Sequence, residues 1–165
     1  MSTLRYSYDR GAMAESTGGE RLVDPERMIV LSLKPRYAEA ILSGAKTVEL
    51  RRIEPKLSVP TRALIYASTP VKALLGTCIV ERVTADRLAV LWKACGSRTG
   101  LAHAEFRDYF EGLEVGSALA LSGARRFGRR IPLADLRASR RLERPPQSYS
   151  YLDTVIGEEL IRLAG

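Results

Sequence analysis

Gly44-Ala45-Lys46-Thr47-Val48-Glu49-Leu50-Arg51-Arg52 is the stretch on which the reading of the fold turns. It follows a segment in which Tyr37, Ala38, Ile41 and Leu42 recur at helical spacing. A glycine just past such a segment suits the left-handed position that ends a helix, so a strand is expected to begin there. On a strand, successive side chains point to opposite faces. Thr47, Glu49 and Arg51 therefore share one face, and Lys46, Val48 and Leu50 the other. A carboxylate flanked by cations is unusually polar for such a strand. Either Glu49 pairs with Arg51 or Arg52 to hold the fold together, or these charges face a cleft that binds something polar.

Upstream, Met28 to Leu33 is a nearly continuous apolar run that reads as a buried strand, and Pro35 suits the first turn of the following helix. Residues 1–27 are rich in Gly, Ser, Glu and Arg without sustained periodicity, and are expected to form a flexible leader ahead of one domain over 28–165. Met28 is accordingly a candidate start.

Downstream, a loop punctuated by Pro55 and Pro60 leads to strands over Arg62–Ser68 and Ala73–Val83, with Gly76 marking a bulge in the second. Asp86–Ala94 and His103–Phe110 read as helices, separated by a break from Gly96 to Gly100. Val115–Ser122 reads as a strand running into a basic segment, and Ile131–Leu136 as a further strand or turn. Pro145-Pro146-Gln147-Ser148-Tyr149 forms a rigid polar-aromatic turn, and a helix from about Leu152 to Leu163 closes the chain. Helices too few for a doubly wound sheet leave a mixed α+β fold around a small curled sheet.

The chain has 165 residues, 45% hydrophobic and 27% charged, enough for one domain with its own core. It holds no apolar run near the length of a membrane span and no signal-peptide core. Two separated cysteines, Cys78 and Cys95, point to a reducing, cytoplasmic setting. One histidine and no cysteine cluster argue against a transition-metal site, and no cofactor is expected. The net charge of +7 favours a polyanionic partner, RNA or a nucleotide above all. Arg125, Arg126, Arg129, Arg130, Arg137, Arg140, Arg141 and Arg144 concentrate this charge into a band opposed only by Asp135 and Glu143. The band either tracks a phosphate backbone or is a solvated hairpin face.

Ser32-Leu33-Lys34-Pro35, the helix after it, and Gly44 to Arg51 together resemble the signature of the ASCH domain family. Ile65-Tyr66-Ala67-Ser68-Thr69-Pro70-Val71-Lys72 and Pro145 to Tyr149 resemble further segments of one bacterial and archaeal branch. The resemblance implies a PUA-like curled β-barrel of about five to six strands with flanking helices. It also implies an RNA- or nucleotide-binding cleft lined by Lys46, Glu49 and Arg51. Some family members are similar to RNA-binding modules, some to ribonucleases, and one branch hydrolyses acetylated cytidine through a Lys, a Thr and a distant Glu. The Lys of that branch matches Lys46 and its Glu is matched to Glu105, but its Thr falls at Glu49, with Thr47 nearby.

Two functional classes follow. In a binding module, Lys46 and Arg51 hold phosphate while Glu49 accepts hydrogen bonds from a base or sugar. In a small metal-independent hydrolase, Glu49 acts as general base and Lys46 stabilises developing negative charge. Further candidates for RNA contact are Lys34 beside the first helix, Tyr66 and Ser68 at a strand end, Gln147 and Tyr149 on the Pro-Pro turn, and Arg125, Arg126, Arg129 and Arg130 of the band.

Overall fold

A computed structural model of the chain describes residues 27–165. All but the last residue of the expected leader, 1–27, lies outside the described residues. The described residues form six strands, β1 (Arg27–Leu33), β2 (Val48–Arg51), β3 (Thr61–Ala67), β4 (Ala73–Arg87), β5 (Val115–Pro132) and β6 (Tyr149–Asp153). They form one mixed sheet in the order β2-β5-β4-β3-β1-β6. β1 runs parallel to β3, and the remaining pairings are antiparallel. Among the described residues there are five α-helices, α1 (Pro35–Leu42), α2 (Leu88–Cys95), α3 (His103–Tyr109), α4 (Leu133–Ala138) and α5 (Thr154–Ala164). The α+β class, the strand number and the flanking helices are those expected. Among the described residues the barrel is an open one, because β2 and β6 end the sheet order and no ladder joins them.

Alternation along β1 and β3 divides the core. Ile29, Leu31 and Leu33 meet Ala63, Ile65 and Ala67 on the inner face, where α1 adds Ala38 and Ile41. Met28 and Val30 meet Leu64 and Tyr66 on the outer face, which α4 and α5 cover with Leu133, Leu136 and Leu160. A third cluster places Val48 and Leu50 of β2 beneath Leu91 and Cys95 of α2, Phe106 of α3 and Phe110 just past α3. Each fully buried aliphatic or aromatic side chain contributes roughly 1.5–3 kcal/mol.

Local sequence explains several boundaries. Pro35 opens α1, whose end is followed by Gly44 at φ +82°. Gly76 sits at a register shift between β4 and β5, where a Cβ would lie 2.3 Å from the Arg125 carbonyl oxygen. Other boundaries differ from expectation. β4 continues to Arg87, so the expected helix starts only at Leu88, because Asp86 and Arg87 pair with Gly116 and Val115. β5 extends through the basic segment to Pro132, held by pairing with the first half of β4. Residues 133–136, expected as strand or turn, belong to α4, which lays Leu133 and Leu136 on the outer cluster. Tyr149–Asp153 is a strand paired with β1, so the final helix begins at Thr154, capped by the Asp153 carboxylate accepting from the Val155 amide at 2.8 Å.

Candidate functional site

The Lys46–Glu49–Arg51 constellation forms, but it is closed. Relative exposures are 2%, 7% and 4%, so the open cleft expected there is corrected to a buried ion triad. The reason lies in β2, which is covered on both faces. Val48 and Leu50 face α2 and α3, while Glu49 and Arg51 turn toward the inside of the curled sheet. Each oxygen of Glu49 meets one cation at 3.1 Å, Lys46 Nζ on one side and Arg51 Nη2 on the other. Lys46 also donates to the Val48 carbonyl at 2.8 Å and the Thr99 carbonyl at 2.5 Å, and lies under the Tyr37 ring at 5.3 Å from its centroid. Arg51 Nη1 donates to the Ser148 carbonyl at 2.9 Å and its hydroxyl at 3.0 Å, and Nη2 to the Ser32 carbonyl at 3.3 Å. The guanidinium thus runs from one end of the sheet order, β2, to β1 and the residue preceding β6 at the other. It stitches by side chain the seam that backbone pairing leaves open.

Beside this stitch lies a cleft of about 390 Å³, lined by Ser32, Tyr66, Ser68, Thr69, Lys72, Leu133, Arg137, Pro145, Pro146 and Gln147. Three expected residues, Tyr66, Ser68 and Gln147, come together here. The C-terminal ends of β1 and β3 deliver Ser32 and Tyr66, the loop into β4 delivers Ser68, Thr69 and Lys72, and α4 delivers Leu133 and Arg137. Lys72 adopts φ 49°, a left-handed conformation rarely taken by residues other than glycine, asparagine or aspartate. It is fixed there by its amide donating to the Ser68 carbonyl at 3.2 Å and its carbonyl accepting from Leu133 at 2.8 Å.

The lining carries two cations, Lys72 and Arg137, four hydroxyls and an amide, with no carboxylate. That composition suits an anion with several acceptor oxygens. Tyr66 is 2% exposed, and burial pushes its phenol above the ordinary range, with the nearby Arg137 charge opposing the shift. The phenol therefore keeps its proton through neutral pH and can serve as a donor.

The remaining expected residues lie elsewhere. Lys34 is exposed at the start of α1, where its carbonyl accepts from Tyr37 and Ala38, and it does not line the cleft. Tyr149 is half-buried against the inner cluster rather than closing the cleft. Glu105 does not line the cleft. Its carboxylate accepts from the Ala102 amide at 2.9 Å, capping α3, and pairs with Arg36 at 2.8 Å on the surface. Arg125, Arg126, Arg129 and Arg130 are exposed along β5, with Arg126 paired to Glu39 of α1. Lys72 and Arg137 were not singled out by sequence reasoning. Arg137 belongs to the basic band and Lys72 closes the Ile65–Lys72 segment, so each carried a signal, though nothing in the sequence shows that Lys72 takes a left-handed conformation.

Among the described residues no helix is long and apolar enough to cross a membrane, and no three His, Cys, Asp or Glu side chains group as metal ligands would.

The ASCH domain family model matches residues 31–116. A protein of Zymomonas mobilis named ASCH domain-containing ribonuclease is 37% identical over 134 residues, covering 81% of this chain and 90% of that protein. The crystal structure of ASCH from Zymomonas mobilis superposes with a TM-score of 0.79 at 36% identity, covering 84% of this chain and 96% of the other. Human THYN1, solved in complex with DNA containing 5-methylcytosine, shares the fold at a TM-score of 0.56 and 10% identity, covering 84% and 97%. With the signature residues in place, the fold matched and the Zymomonas protein similar along most of its length, this chain belongs to the ASCH domain family.

Proposed function

We propose that the chain binds RNA, seating a backbone phosphate in the Tyr66 cleft between Lys72 and Arg137. The observation that carries this reading is the cleft's lining, which has two cations and a protonated phenol but no acid to repel an anion. Arg137 offers a planar fork and Lys72 a point charge, the two modes by which proteins hold phosphate. The exposed arginines of β5 extend the positive surface away from the cleft, adding affinity without reading sequence. Lys46, Glu49 and Arg51 take no direct part, since each is sealed from solvent.

The similarity to a protein named a ribonuclease favours a second reading, in which the bound phosphodiester is cleaved. The ribose 2′-hydroxyl, giving its proton to water, would attack the adjacent phosphorus as the bond to the 5′-oxygen breaks, leaving a 2′,3′-cyclic phosphate and a 5′-hydroxyl that takes up a proton. Negative charge then grows on the non-bridging oxygens, where Lys72 and Arg137 would offset it. Tyr66 can give a hydrogen bond, or a proton, to an oxygen of the reacting phosphate. Incubating end-labelled RNA with wild type, Tyr66→Phe and Lys72→Ala in the presence of a chelator separates the readings. Retention without shortening supports the binding module. Shortening lost in Tyr66→Phe supports cleavage at this cleft. Wild-type behaviour in both variants would remove the cleft from either role.

A further inference from the structure

We infer that Arg51, fixed by Glu49 and Lys46, is a positioning residue for the cleft, setting where the Pro145–Gln147 wall stands relative to Ser32 and Tyr66. The inference rests on the cleft being the RNA site. The wall is a coil segment between α4 and β6, and Pro145, Pro146 and Gln147 on it line the cleft. Its fastening point is the next residue. The Ser148 carbonyl accepts from the Ser32 amide at 2.9 Å and from Arg51 Nη1 at 2.9 Å, and the Ser148 hydroxyl accepts from the same Nη1 at 3.0 Å. The opposite rim is held by the same group, since both terminal nitrogens of Arg51 reach the Ser32 carbonyl, at 3.4 and 3.3 Å. One guanidinium therefore ties Ser32 of the lining to Ser148 at the end of the wall, without lining the cleft itself.

The rest of the triad gives that guanidinium a single position. Glu49 binds its Nη2, and Lys46 holds the other oxygen of Glu49. Arginine suits the place because its rigid fork serves Ser148, Ser32 and Glu49 together, which a lysine's single ammonium on a flexible stem cannot do in the same geometry. This also accounts for a buried charge cluster that a hydrophobic set of equal volume would replace at little or no cost in stability.

The test is RNA binding across a salt series for full-length wild type, Arg51→Lys, Glu49→Gln and Lys72→Ala, using a labelled single-stranded RNA. Measurements are made well below each variant's unfolding midpoint. Arg51→Lys keeps the charge but loses the fork. We expect its affinity to fall roughly tenfold, equivalent to one charge-assisted hydrogen bond, with the slope of log K against log salt unchanged. Glu49→Gln should behave in the same direction, and stands in should Arg51→Lys fail to fold. A slope reduced by about 0.7 in a further variant, Arg51→Gln, which removes the charge, would mean that Arg51 itself meets a phosphate, which overturns the positioning role. Unchanged affinity in folded Arg51→Lys or Glu49→Gln, with Lys72→Ala weakened, also overturns it and leaves the cleft reading intact. Unchanged affinity in Lys72→Ala instead sinks the cleft reading, and the inference with it.

Discussion

Replacing Glu49 by alanine is the sharpest probe of how this sheet is held together. The carboxylate accepts from Lys46 Nζ and Arg51 Nη2, each at 3.1 Å, and the three side chains are only 2–9% exposed. Its loss leaves two cations facing each other inside the protein. Lys46 keeps the Val48 and Thr99 carbonyls, and Arg51 keeps Ser32 and Ser148, so neither is stripped of partners. The charges nevertheless remain buried and uncompensated, and breaking a buried pair in this way costs about 3–5 kcal/mol. Against a total stability of about 5–15 kcal/mol, that is a large share. At about 2–4 °C per kcal/mol for a chain of this size, the midpoint should fall by roughly 6–20 °C. Thermal melting followed by circular dichroism measures the midpoint, and urea unfolding the free energy. Glu39→Ala is the matched control, because its pair with Arg126 is half-exposed (53% and 51%) and should cost less than about 1 kcal/mol. If Glu49→Ala proved no worse than Glu39→Ala, the triad would have to be hydrated and the account of the seam would fall.

Three further outcomes are expected. Gly76→Ala should destabilise by about 1–3 kcal/mol in urea, because the added Cβ meets the Arg125 carbonyl oxygen at 2.3 Å and backbone must shift; a neutral result would mean the bulge is soft. The Cys78 thiol is pushed up to about 12 from 9.0, mainly by burial and further by the Glu49 charge. The unfolded chain therefore releases this proton first, so the contribution is fully present below pH 9.0 and shrinks as pH rises toward about 12, by at most about 1.4 kcal/mol per pH unit. Urea midpoints above pH 9.0 should fall less steeply in Cys78→Ala than in wild type, and parallel curves would contradict the assignment. Exchanging both Arg129 and Arg130 for glutamine should reduce the salt slope of RNA binding by up to about 1.4, two single-strand contacts' worth, whereas an unchanged slope returns these arginines to an ordinary solvated face.

The fold was readable wherever a local rule decided it. Pro35 and Gly44 bracket α1, Gly76 marks the bulge, and the Met28–Leu33 run forms a strand buried on both sides. It was not readable where distant pairing overrode local preference. Asp86 and Arg87 belong to a strand because Gly116 and Val115 lie opposite them, and Tyr149–Asp153 belongs to one because β1 needs a second neighbour. The same limit governed the site. Alternation identified Glu49 and Arg51 as sharing a face, but left open whether they pair within the fold or face a cleft. Pairing holds, because the strand is covered by α2 and α3 outside and by the curl of the sheet inside. Tyr66, Ser68 and Gln147 were found through their segments, whereas Lys72 owes its place to a backbone conformation and Arg137 to a short helix expected as strand or turn.

The central claim is that a phosphate of RNA sits between Lys72 and Arg137. It is tested most directly by titrating single-stranded RNA into wild type, Lys72→Ala and Arg137→Ala across a range of salt. Both side chains are exposed and neither belongs to the buried core, so the variants should fold. Each should bind more weakly, with a salt slope lower by about 0.7. Wild-type affinity and slope in both variants would contradict the account.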